Sequence, residues 1–320
     1  MRVSVVVPVW NGLRWLPGLI ASLRAQTVAP LETIAVYNGS TDGSREWLAQ
    51  HAPEIRVLEQ SENTGFAAAA NRGVREAAGE AIALVNTDVE LDPEWLERAV
   101  AALEAGERVA SVATKMVDLA DPGVLYDAGD ILRRDGVCEQ RGRFRHDDGR
   151  WDEPGDVFAA CAGAALYRRA ALLEIKGFDE RFFAYLEDVD VGLRLRLAGW
   201  TCAWEPRAVA RHAGEGSADA GARSPAGWAE RNTLLLVARA FPLRWMPAVA
   251  YRQLAWVWHA ARAGRLRAHL AGAARAVPLL PVMLRDRRGL RRSARVPIEQ
   301  VVPARPWRGP EAGGHPRSPV

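Results

Sequence analysis

Four short apolar runs, each followed by a polar loop and an amphipathic stretch, constrain the fold of this chain more than any other feature of its sequence. The runs are Val3–Pro8, Leu31–Val36, Ile55–Glu59 and Ala81–Val85. Strands that alternate with helices at this spacing predict stacked βαβ units and a mostly parallel sheet. Ligands of such sheets bind at the carboxyl ends of the strands, so we expect the loops after these runs to build the functional site.

The pattern weakens beyond the fourth run. Residues 117–157 carry scattered Gly, Asp and Arg and are expected to be loop-rich, and a strand pattern resumes at Val157–Tyr167. A helix is predicted over Tyr185–Gly199, because Leu and Val recur at helical spacing and the final glycine stands where a C-terminal cap belongs. The chain is helical again beyond Arg231, and residues 303–320, rich in Pro and Gly, are predicted to be disordered.

Several classes of protein fit the sequence poorly. No run of 18 apolar residues is present, and the first apolar run is too short for a secretory signal, so it is predicted to be a strand. The three cysteines are far apart, as expected in a reducing cytoplasm. The P-loop, the dinucleotide-binding glycine pattern, the zinc motif H-E-x-x-H and the nucleophile elbow G-x-S-x-G are all missing from the sequence.

Charge is distributed unevenly along the chain. Residues 241–320 contain fifteen arginines and three acidic residues, while the whole chain has a net charge of only +3. Between Trp245 and Arg295, Trp and Leu alternate with Arg, which is typical of helices that lie in the headgroup region of a membrane. Two alternatives remain: the same residues pack on the preceding domain, or the cluster Arg285–Arg295 binds nucleic acid, although no nucleic-acid motif accompanies it.

Asn86-Thr87-Asp88 is the first candidate for chemistry. It directly follows the buried run Ala81–Val85. A carboxylate at such a strand end can bind a divalent cation that bridges a diphosphate. The alternative is a turn or cap before the next helix, since Asp92-Pro93 follows.

Two further candidates for chemistry lie between residues 187 and 212. Glu187-Asp188-Val189-Asp190 places three carboxylates at a helix start, where mutual repulsion raises pKa values and favours a general base. The alternative is ordinary helix-dipole chemistry with Asp190 paired to Arg194. His212 is either a surface or core histidine or a metal ligand, and its nitrogen would favour Mn²⁺ over Mg²⁺.

The order of these motifs resembles that of the family 2 glycosyltransferases, in particular the rhamnosyltransferase-like branch that builds bacterial surface polysaccharides. The resemblance covers roughly residues 1–240. It is carried by the following segments: Val5–Asn11, Tyr37–Ser44, Asn63–Gly73, Asn86–Asp88, Gly177–Glu180, Glu187–Asp190 and Pro206–His212.

The resemblance implies a GT-A fold, a Rossmann-like α/β architecture with a nucleotide-sugar half at about 1–115 and an acceptor half at about 116–240. It also implies inverting transfer of a sugar, rhamnose being one candidate, from a nucleoside-diphosphate donor. Asp188 matches the catalytic base and Glu187 its orienting neighbour. Asp88 and His212 match ligands of a divalent cation, Mn²⁺ or Mg²⁺. The donor site would comprise Pro8, Trp10, Asn11, Tyr37, Asn38, Ser40, Asp42, Asn63, Gly65, Phe66, Asn71, Asn86 and Thr87.

Tyr37 departs from the family pattern, which has an aspartate that reads the uracil or thymine ring. A phenol is bulkier and uncharged near neutral pH, so a catalytically impaired, sugar-nucleotide-binding relative is the alternative function. The branch further implies a glycan or polyprenyl-diphosphate-linked acceptor. We therefore expect a cytoplasmic protein that is peripheral on the inner face of the membrane. In this interpretation residues 241–302 form a basic amphipathic helical tail on an anionic surface, and no nucleic acid is bound.

Overall fold

Strands and helices alternate through the first third of the chain, as the sequence predicts. The computed structural model describes residues 1–214, 225–302 and 304. The first four strands are β1 (Val3–Val9), β2 (Glu32–Asn38), β3 (Arg56–Gln60) and β4 (Ala81–Val85). The first four helices are α1 (Leu16–Arg24), α2 (Ser44–His51), α3 (Phe66–Glu76) and α4 (Trp95–Glu104). The bounds of β4 agree with those of the apolar run Ala81–Val85 to the residue.

β1 lies at the centre of the parallel part of the sheet, between β2 and β4, and β3 extends it beyond β2. Both faces of β1 are covered. Val5 and Val7 pack in one core cluster with Leu19 of α1, whereas Val6 packs in a second cluster with Ala70 of α3. Burial on both faces explains why these strands are continuous apolar runs rather than alternating ones.

The remaining strands are β5 (Val89–Leu91), β6 (Val109–Asp118), β7 (Leu125–Asp127), β8 (Asp130–Leu132), β9 (Cys138–Gln140), β10 (Gly155–Asp156), β11 (Ala164–Arg168) and β12 (Thr201–His212). The sheet continues on the side of β4, in the order β10-β12-β6-β11-β4-β1-β2-β3. β5 pairs with β12 and β7 with β6, whereas β8 and β9 form a separate two-stranded sheet. β11 is antiparallel to both β4 and β6, while β12 is parallel to β6. Within residues 117–157 no strand beyond the end of β6 exceeds three residues, as the loop-rich pattern predicts.

Two sequence expectations are corrected here. The strand predicted over Val157–Tyr167 is limited to β11, because residues 157–163 form no ladder with other described residues beyond an isolated bridge between Ala159 and Asp130. The helix predicted to start at Tyr185 begins instead at Glu187, since Tyr185 and Leu186 have φ values of +70° and +65°, outside the helical region.

The C-terminal part is helical. Its helices are α5 (Arg169–Glu174), α6 (Glu187–Leu197), α7 (Pro225–Ala240), α8 (Met246–Arg262), α9 (Leu266–Ala276), α10 (Leu280–Ser293) and α11 (Ile298–Val301). α7 packs against α9 and α10, and a third core cluster joins Leu193 of α6, Leu236 of α7 and Met283 of α10. In the described ranges, no helix is both long and apolar enough to cross a membrane. The domain division at residue 240 stays a prediction, and the disorder predicted for 303–320 falls, apart from Ala304, outside the described residues.

Candidate active site

The loops after β1 and β2 form one wall at the carboxyl edge of the sheet. The Asn11 N–H donates to Ser40 Oγ at 3.0 Å, and Asn11 Oδ1 accepts from the Thr41 N–H at 2.9 Å. Asp42 accepts from the Leu13 N–H at 2.8 Å and from Ser44. Burial raises the pKa of Asp42, but these hydrogen bonds outweigh it and hold the pKa below its usual value. The wall is therefore fixed by side chains that the sequence assigns to the donor site.

The loop after β3 joins this wall through Asn38. Asn38 Oδ1 accepts from the Thr64 N–H at 3.0 Å, and its amide lies 3.2 Å from Asn63 Oδ1. Gly39, with φ +67°, lies so close to the backbone of Glu62 that a Cβ would approach it to 2.6 Å. A side chain at position 39 would separate the two loops, so the glycine is required for their approach.

Tyr37 points along the same wall. Its phenol donates a hydrogen bond to the Ser40 carbonyl and is half-buried. At the position where the family has a base-reading aspartate, this chain therefore has a side chain that ties β2 to the following turn. Pro8 and Trp10, on either side of Val9, which pairs with Tyr37 across the sheet, are half-buried.

Phe66 and Asn71 belong to α3, which begins directly after the third loop. The ring of Phe66 packs edge-on against Phe178, with ring centroids 6.3 Å apart. Asn71 is buried and exchanges two hydrogen bonds of 2.8 Å with the backbone of Phe178, and it also donates to Glu180 at 2.9 Å. Both side chains thus join the donor half to the segment that precedes α6.

Asp88 and His212 are brought together by strand pairing. β5 starts one residue after Asp88 and is antiparallel to the end of β12, with Val89 opposite His212. His212 Nε2 lies 3.3 Å from Asp88 Oδ1, and both side chains are buried. The ring of Tyr126 packs edge-on against the imidazole at 4.2 Å. Two residues that are distant in sequence therefore form one polar pair, as the resemblance implies.

This pair fits a divalent cation in its donor set. Neither ring nitrogen of His212 has a hydrogen-bond partner within the described part of the chain, although both are buried. Apart from the contact of Nε2 with Asp88 at 3.3 Å, the buried imidazole has no polar contact among these residues that satisfies it, and this is costly unless a ligand does so. No group of three or more His, Cys, Asp or Glu side chains with metal-binding geometry occurs among residues 1–214, 225–302 and 304.

Asp188 lies in the first turn of α6. Its Oδ2 accepts from the Ala162 N–H at 3.0 Å and its Oδ1 from the Val189 N–H at 2.8 Å. The next residue after Ala162, Gly163, accepts from the Asn86 N–H at 2.8 Å. Residues 162–163 therefore connect the candidate base directly to the candidate metal motif.

The carboxylates around Asp188 differ in their surroundings. Burial raises the pKa of Asp188, and burial together with the charge of Asp188 raises the pKa of Glu187 well above its usual value. Asp190 is fully buried and forms ion pairs of 2.7 Å with Arg194 and 2.9 Å with Arg239. Burial is the larger cause of the raised pKa of Glu187 and repulsion by Asp188 adds to it, and the Asp190–Arg194 pair of the alternative interpretation is also present.

Two site carboxylates were missed by sequence reasoning. Asp127 and Asp130, in β7 and β8, are buried beside Asp188. Burial and the charge of Asp188 raise the pKa of Asp127 to about 7, and burial with the charges of Asp127 and Asp188 raises that of Asp130 well above its usual value. They lie in the region of weak periodicity, where the signal that could have drawn attention to them is the pair of aspartates around Ala128-Gly129.

Comparison with known proteins places these features in context. The family model described as "Glycosyl transferase family 2" matches residues 4–176. N-acetylglucosaminyl-diphospho-decaprenol L-rhamnosyltransferase of Mycobacterium tuberculosis is 32% identical over 218 residues, which are 60% of this chain and 70% of that protein.

Two solved structures share the fold. GalNAc-T7 with UDP, GalNAc and Mn²⁺ aligns with a TM-score of 0.60 and 16% identity over 75% of this chain and 48% of that chain. The mannosyltransferase PcManGT from Pyrobaculum calidifontis, in complex with GDP-Man and Mn²⁺, aligns with a TM-score of 0.54 and 21% identity over 91% and 85% of the two chains. At these identities the likeness concerns the fold alone, and it confirms the predicted GT-A architecture with C-terminal helices.

Proposed function

Because the chain belongs to glycosyl transferase family 2, we propose that it transfers a sugar from a nucleoside-diphosphate donor to a lipid-linked or polysaccharide acceptor, with inversion at the anomeric carbon. The observation that supports the proposal is that two candidate groups lie on adjoining segments, the first turn of α6 and the loop after β4. Asp188 accepts from the Ala162 N–H, while the Gly163 carbonyl accepts from the N–H of Asn86, in the motif that ends in Asp88. In the proposal, the first group is the base and the second is the carboxylate that binds the cation.

The proposed reaction is a single displacement. The acceptor hydroxyl attacks the anomeric carbon from the face opposite the diphosphate, the carbon–oxygen bond to the diphosphate breaks, and Asp188 receives the hydroxyl proton. A base works best when its pKa lies near the working pH, and burial moves the pKa of Asp188 in that direction. Glu187, buried and with Oε2 unpaired within the described residues, would act as the orienting neighbour of Asp188.

Asp88 and His212 are the residues that would hold a divalent cation, Mn²⁺ or Mg²⁺. When bound there, the cation would neutralise charge on the departing nucleoside diphosphate. The packing of this motif does not depend on the cation. Asp88 and Thr87, just after β4, are both 3% exposed. Gly12 lies so close to Thr87 that an added Cβ would approach its side chain to 2.8 Å. The loop after β1 is thereby seated on the metal motif.

The acceptor is proposed from the relative in Mycobacterium tuberculosis, whose name describes an N-acetylglucosaminyl-diphospho-decaprenol acceptor and L-rhamnose as the sugar. By this likeness, the chain would act in assembly of a bacterial surface glycan such as the cell wall. The nucleotide would be seated against the wall formed by the loops after β1, β2 and β3. The phenol of Tyr37 would then contact the nucleobase of the donor, provided that it keeps its hydrogen bond to the Ser40 carbonyl when the donor binds.

The test is a panel of nucleotide sugars offered to the full-length protein with Mn²⁺ or Mg²⁺ and a polyprenyl-diphosphate-linked amino sugar as acceptor. Transfer of one sugar, with an anomeric configuration in the product opposite to that in the donor, is the expected result. Donor binding without transfer or hydrolysis would instead support the impaired, sugar-nucleotide-binding relative. A product with retained configuration would refute the single displacement.

We also propose that the C-terminal helices hold the enzyme on the anionic inner face of the membrane, next to a lipid-linked acceptor. The strongest support is one exposed apolar surface, which we call the α8 face: Leu243, Tyr251, Leu254 and Trp258 are 77%, 60%, 70% and 63% exposed. Spacings of three and four residues along α8 place the last three on one side of the helix. Trp256, two residues before Trp258, is only half-exposed.

The basic residues suit the same surface. Arg262, the last residue of α8, lies over the ring of Trp258 at 5.0 Å. Arg262 is exposed, and so are Arg265 and Arg267, which follow α8. Each arginine near an anionic leaflet adds on the order of 1 kcal/mol of binding free energy. Liposome sedimentation of Leu254→Gln tests the proposal, with Leu173→Gln on α5 as the control, since Leu173 is also exposed, at 47%. Loss of binding to anionic liposomes only in Leu254→Gln is expected; equal binding of all three proteins would refute the role of the α8 face.

A further inference from the structure

The segment that leads into α6 has an unusual backbone. Phe183, Tyr185 and Leu186 have φ values of +64°, +70° and +65°, in a left-handed region that residues with large side chains rarely adopt. Three such residues within four positions persist only where the surrounding structure holds them. We call residues 182–186 the lead-in segment. It ends directly before Glu187, so its conformation sets where the helix of the candidate base begins.

One side chain of α7 holds this backbone. Nδ2 of Asn232 lies 2.9 Å from the carbonyl oxygen of Phe182, 2.8 Å from that of Ala184 and 2.6 Å from that of Tyr185. Asn232 is fully buried, at 0% exposure. Its own Oδ1 accepts from Arg231 Nη1 at 2.6 Å, which orients the amide so that its N–H groups face the lead-in segment. A side chain with only acceptors could not replace these contacts.

Two neighbours of Asn232 act on the same segment. Arg231 Nη1 donates to the Phe182 carbonyl at 3.4 Å, and its Nη2 donates at 2.7 Å to the carbonyl of Arg181, directly before the segment. Trp228, one helical turn earlier, stacks on the ring of Phe183 with centroids 4.8 Å apart and planes 7° from parallel. The contacts of α7 with the lead-in segment therefore come from consecutive turns of a single helix face.

The lead-in segment also touches the donor side of the cleft. The carbonyl of Phe183 accepts from the Ala67 N–H at 3.0 Å, at the first turn of α3. Its ring lies against Gly65, where an added Cβ would approach the ring to 2.6 Å. One end of the segment thus meets the loop after β3, and the other end continues into Asp188.

We propose that Asn232 is a positioning residue that keeps Asp188 aligned with a donor seated on the loop after β3. The catalytic meaning of the proposal rests on the proposed function, in which Asp188 is the base. The physical part does not: without the Asn232 amide, the carbonyls of Phe182, Ala184 and Tyr185 lose the two N–H donors that they share, and the positive-φ conformations lose this support. The lead-in segment should then sample other conformations, and both of its ends should move.

The first test is hydrogen exchange on the full-length protein, without any substrate. In Asn232→Ala, peptides that report the Asp190 N–H, bonded to Leu186, and the Ala67 N–H, bonded to Phe183, should exchange faster, while α4 stays unchanged. The control is Thr233→Ala, because Thr233 is also buried, at 3%, but its methyl group faces Gly136. The same exchange pattern in both variants, or none in Asn232→Ala, would overturn the proposal.

The second test separates positioning from binding. Displacement of a catalytic group by about 1 Å lowers a rate on the order of 10²-fold, so kcat of Asn232→Ala should fall by that factor while the KM for donor changes far less. Asn232→Asp keeps the shape but presents acceptors to the three carbonyls, and it should lose kcat equally. If Asn232→Ala does not fold, Arg231→Gln takes its place with a smaller loss.

The outcomes are distinguishable from failure of the proposed function. Faster exchange at both ends with an unchanged kcat would overturn the positioning role and leave the transferase assignment intact. A wild-type protein without transferase activity would overturn the assignment and, with it, the catalytic meaning of Asn232. The exchange result would still decide whether this side chain holds the lead-in segment.

Discussion

Asp188→Asn tests the proposed base most directly. The change is isosteric, and the magnitude of its effects follows from the two hydrogen bonds that Asp188 accepts, 3.0 Å from the Ala162 N–H and 2.8 Å from the Val189 N–H. An asparagine has only one side-chain acceptor, so one of the two N–H groups must face an NH₂ group. An unmade buried hydrogen bond costs about 1–3 kcal/mol, which is the expected decrease in the free energy of unfolding.

The rate should fall much further than stability. A positioned base contributes about 10²–10⁴-fold, so kcat should fall at least ~10²-fold while the Kd of the donor stays near the wild-type value. In the wild type, kcat should rise with pH as Asp188 loses its proton, at a pH above the usual aspartate pKa because burial raises it. The variant should lack this limb.

The assay combines initial rates of transfer over a pH series, donor titration by calorimetry and urea unfolding. Asp121→Asn is the control, because the exposed Asp121 also accepts a backbone N–H, that of Gly123 at 3.2 Å, far along the chain from α6. Wild-type turnover by a folded Asp188→Asn protein would refute the assignment of the base.

The remaining predictions concern the cation and the nucleotide. Asp88→Ala should weaken binding of Mn²⁺ in the presence of the donor more than His212→Ala does, because the carboxylate supplies charge as well as a ligand; titration curves that overlay the wild type would place the cation elsewhere. Tyr37→Asp should tighten binding of a uridine or thymidine diphosphate sugar, since a charge-assisted hydrogen bond is roughly twice as strong as a neutral one. Unchanged or weaker affinity would mean that the pocket is built around the phenol and its bond to Ser40.

The donor half of the fold was predictable because its strands are buried on both faces. Val3–Val9 and Ala81–Val85 then read as continuous apolar runs, and the polar loops between them are short. β12 was not predictable in the same way. It contains Pro206 and several charged residues, and its pairing with β6 shifts register between Glu205 and Val209, so neither alternation nor an apolar run marks it as a strand.

The residues of the candidate site also differ in whether the sequence could predict them. Asp88, Asp188 and His212 stand in motifs with recognisable order, so the resemblance proposes all three. The contact between Asp88 and His212 depends on the pairing of β5 with β12, which the sequence does not reveal. No sequence motif marks Asn232, because its partners are backbone carbonyl oxygens, and these are present whatever the amino-acid sequence. Only the path of residues 182–186 shows why an asparagine is needed there.

Asp127 gives the last prediction, because its carboxyl is buried in β7 and its pKa is raised to about 7 by burial first and by the charge of Asp188 second. An unfolded chain releases this proton near pH 3.9, so the folded state alone holds it between about pH 4 and 7. This contribution to the free energy of unfolding is complete below that window and is lost as pH rises through it.

The neutral side chain of Asp127→Asn has no proton to lose and keeps an acceptor for the Gly129 N–H, which lies 3.0 Å from Oδ1. The difference in free energy of unfolding between variant and wild type should therefore shift in favour of the variant from pH 4 to pH 8, by up to about 4 kcal/mol for a shift of three pKa units. Urea unfolding at the two pH values measures this difference, and Asp121→Asn should show none. A difference that is the same at pH 4 and pH 8 would mean that Asp127 ionises in the folded protein as readily as in water. Burial and the charge of Asp188 would then not raise its pKa.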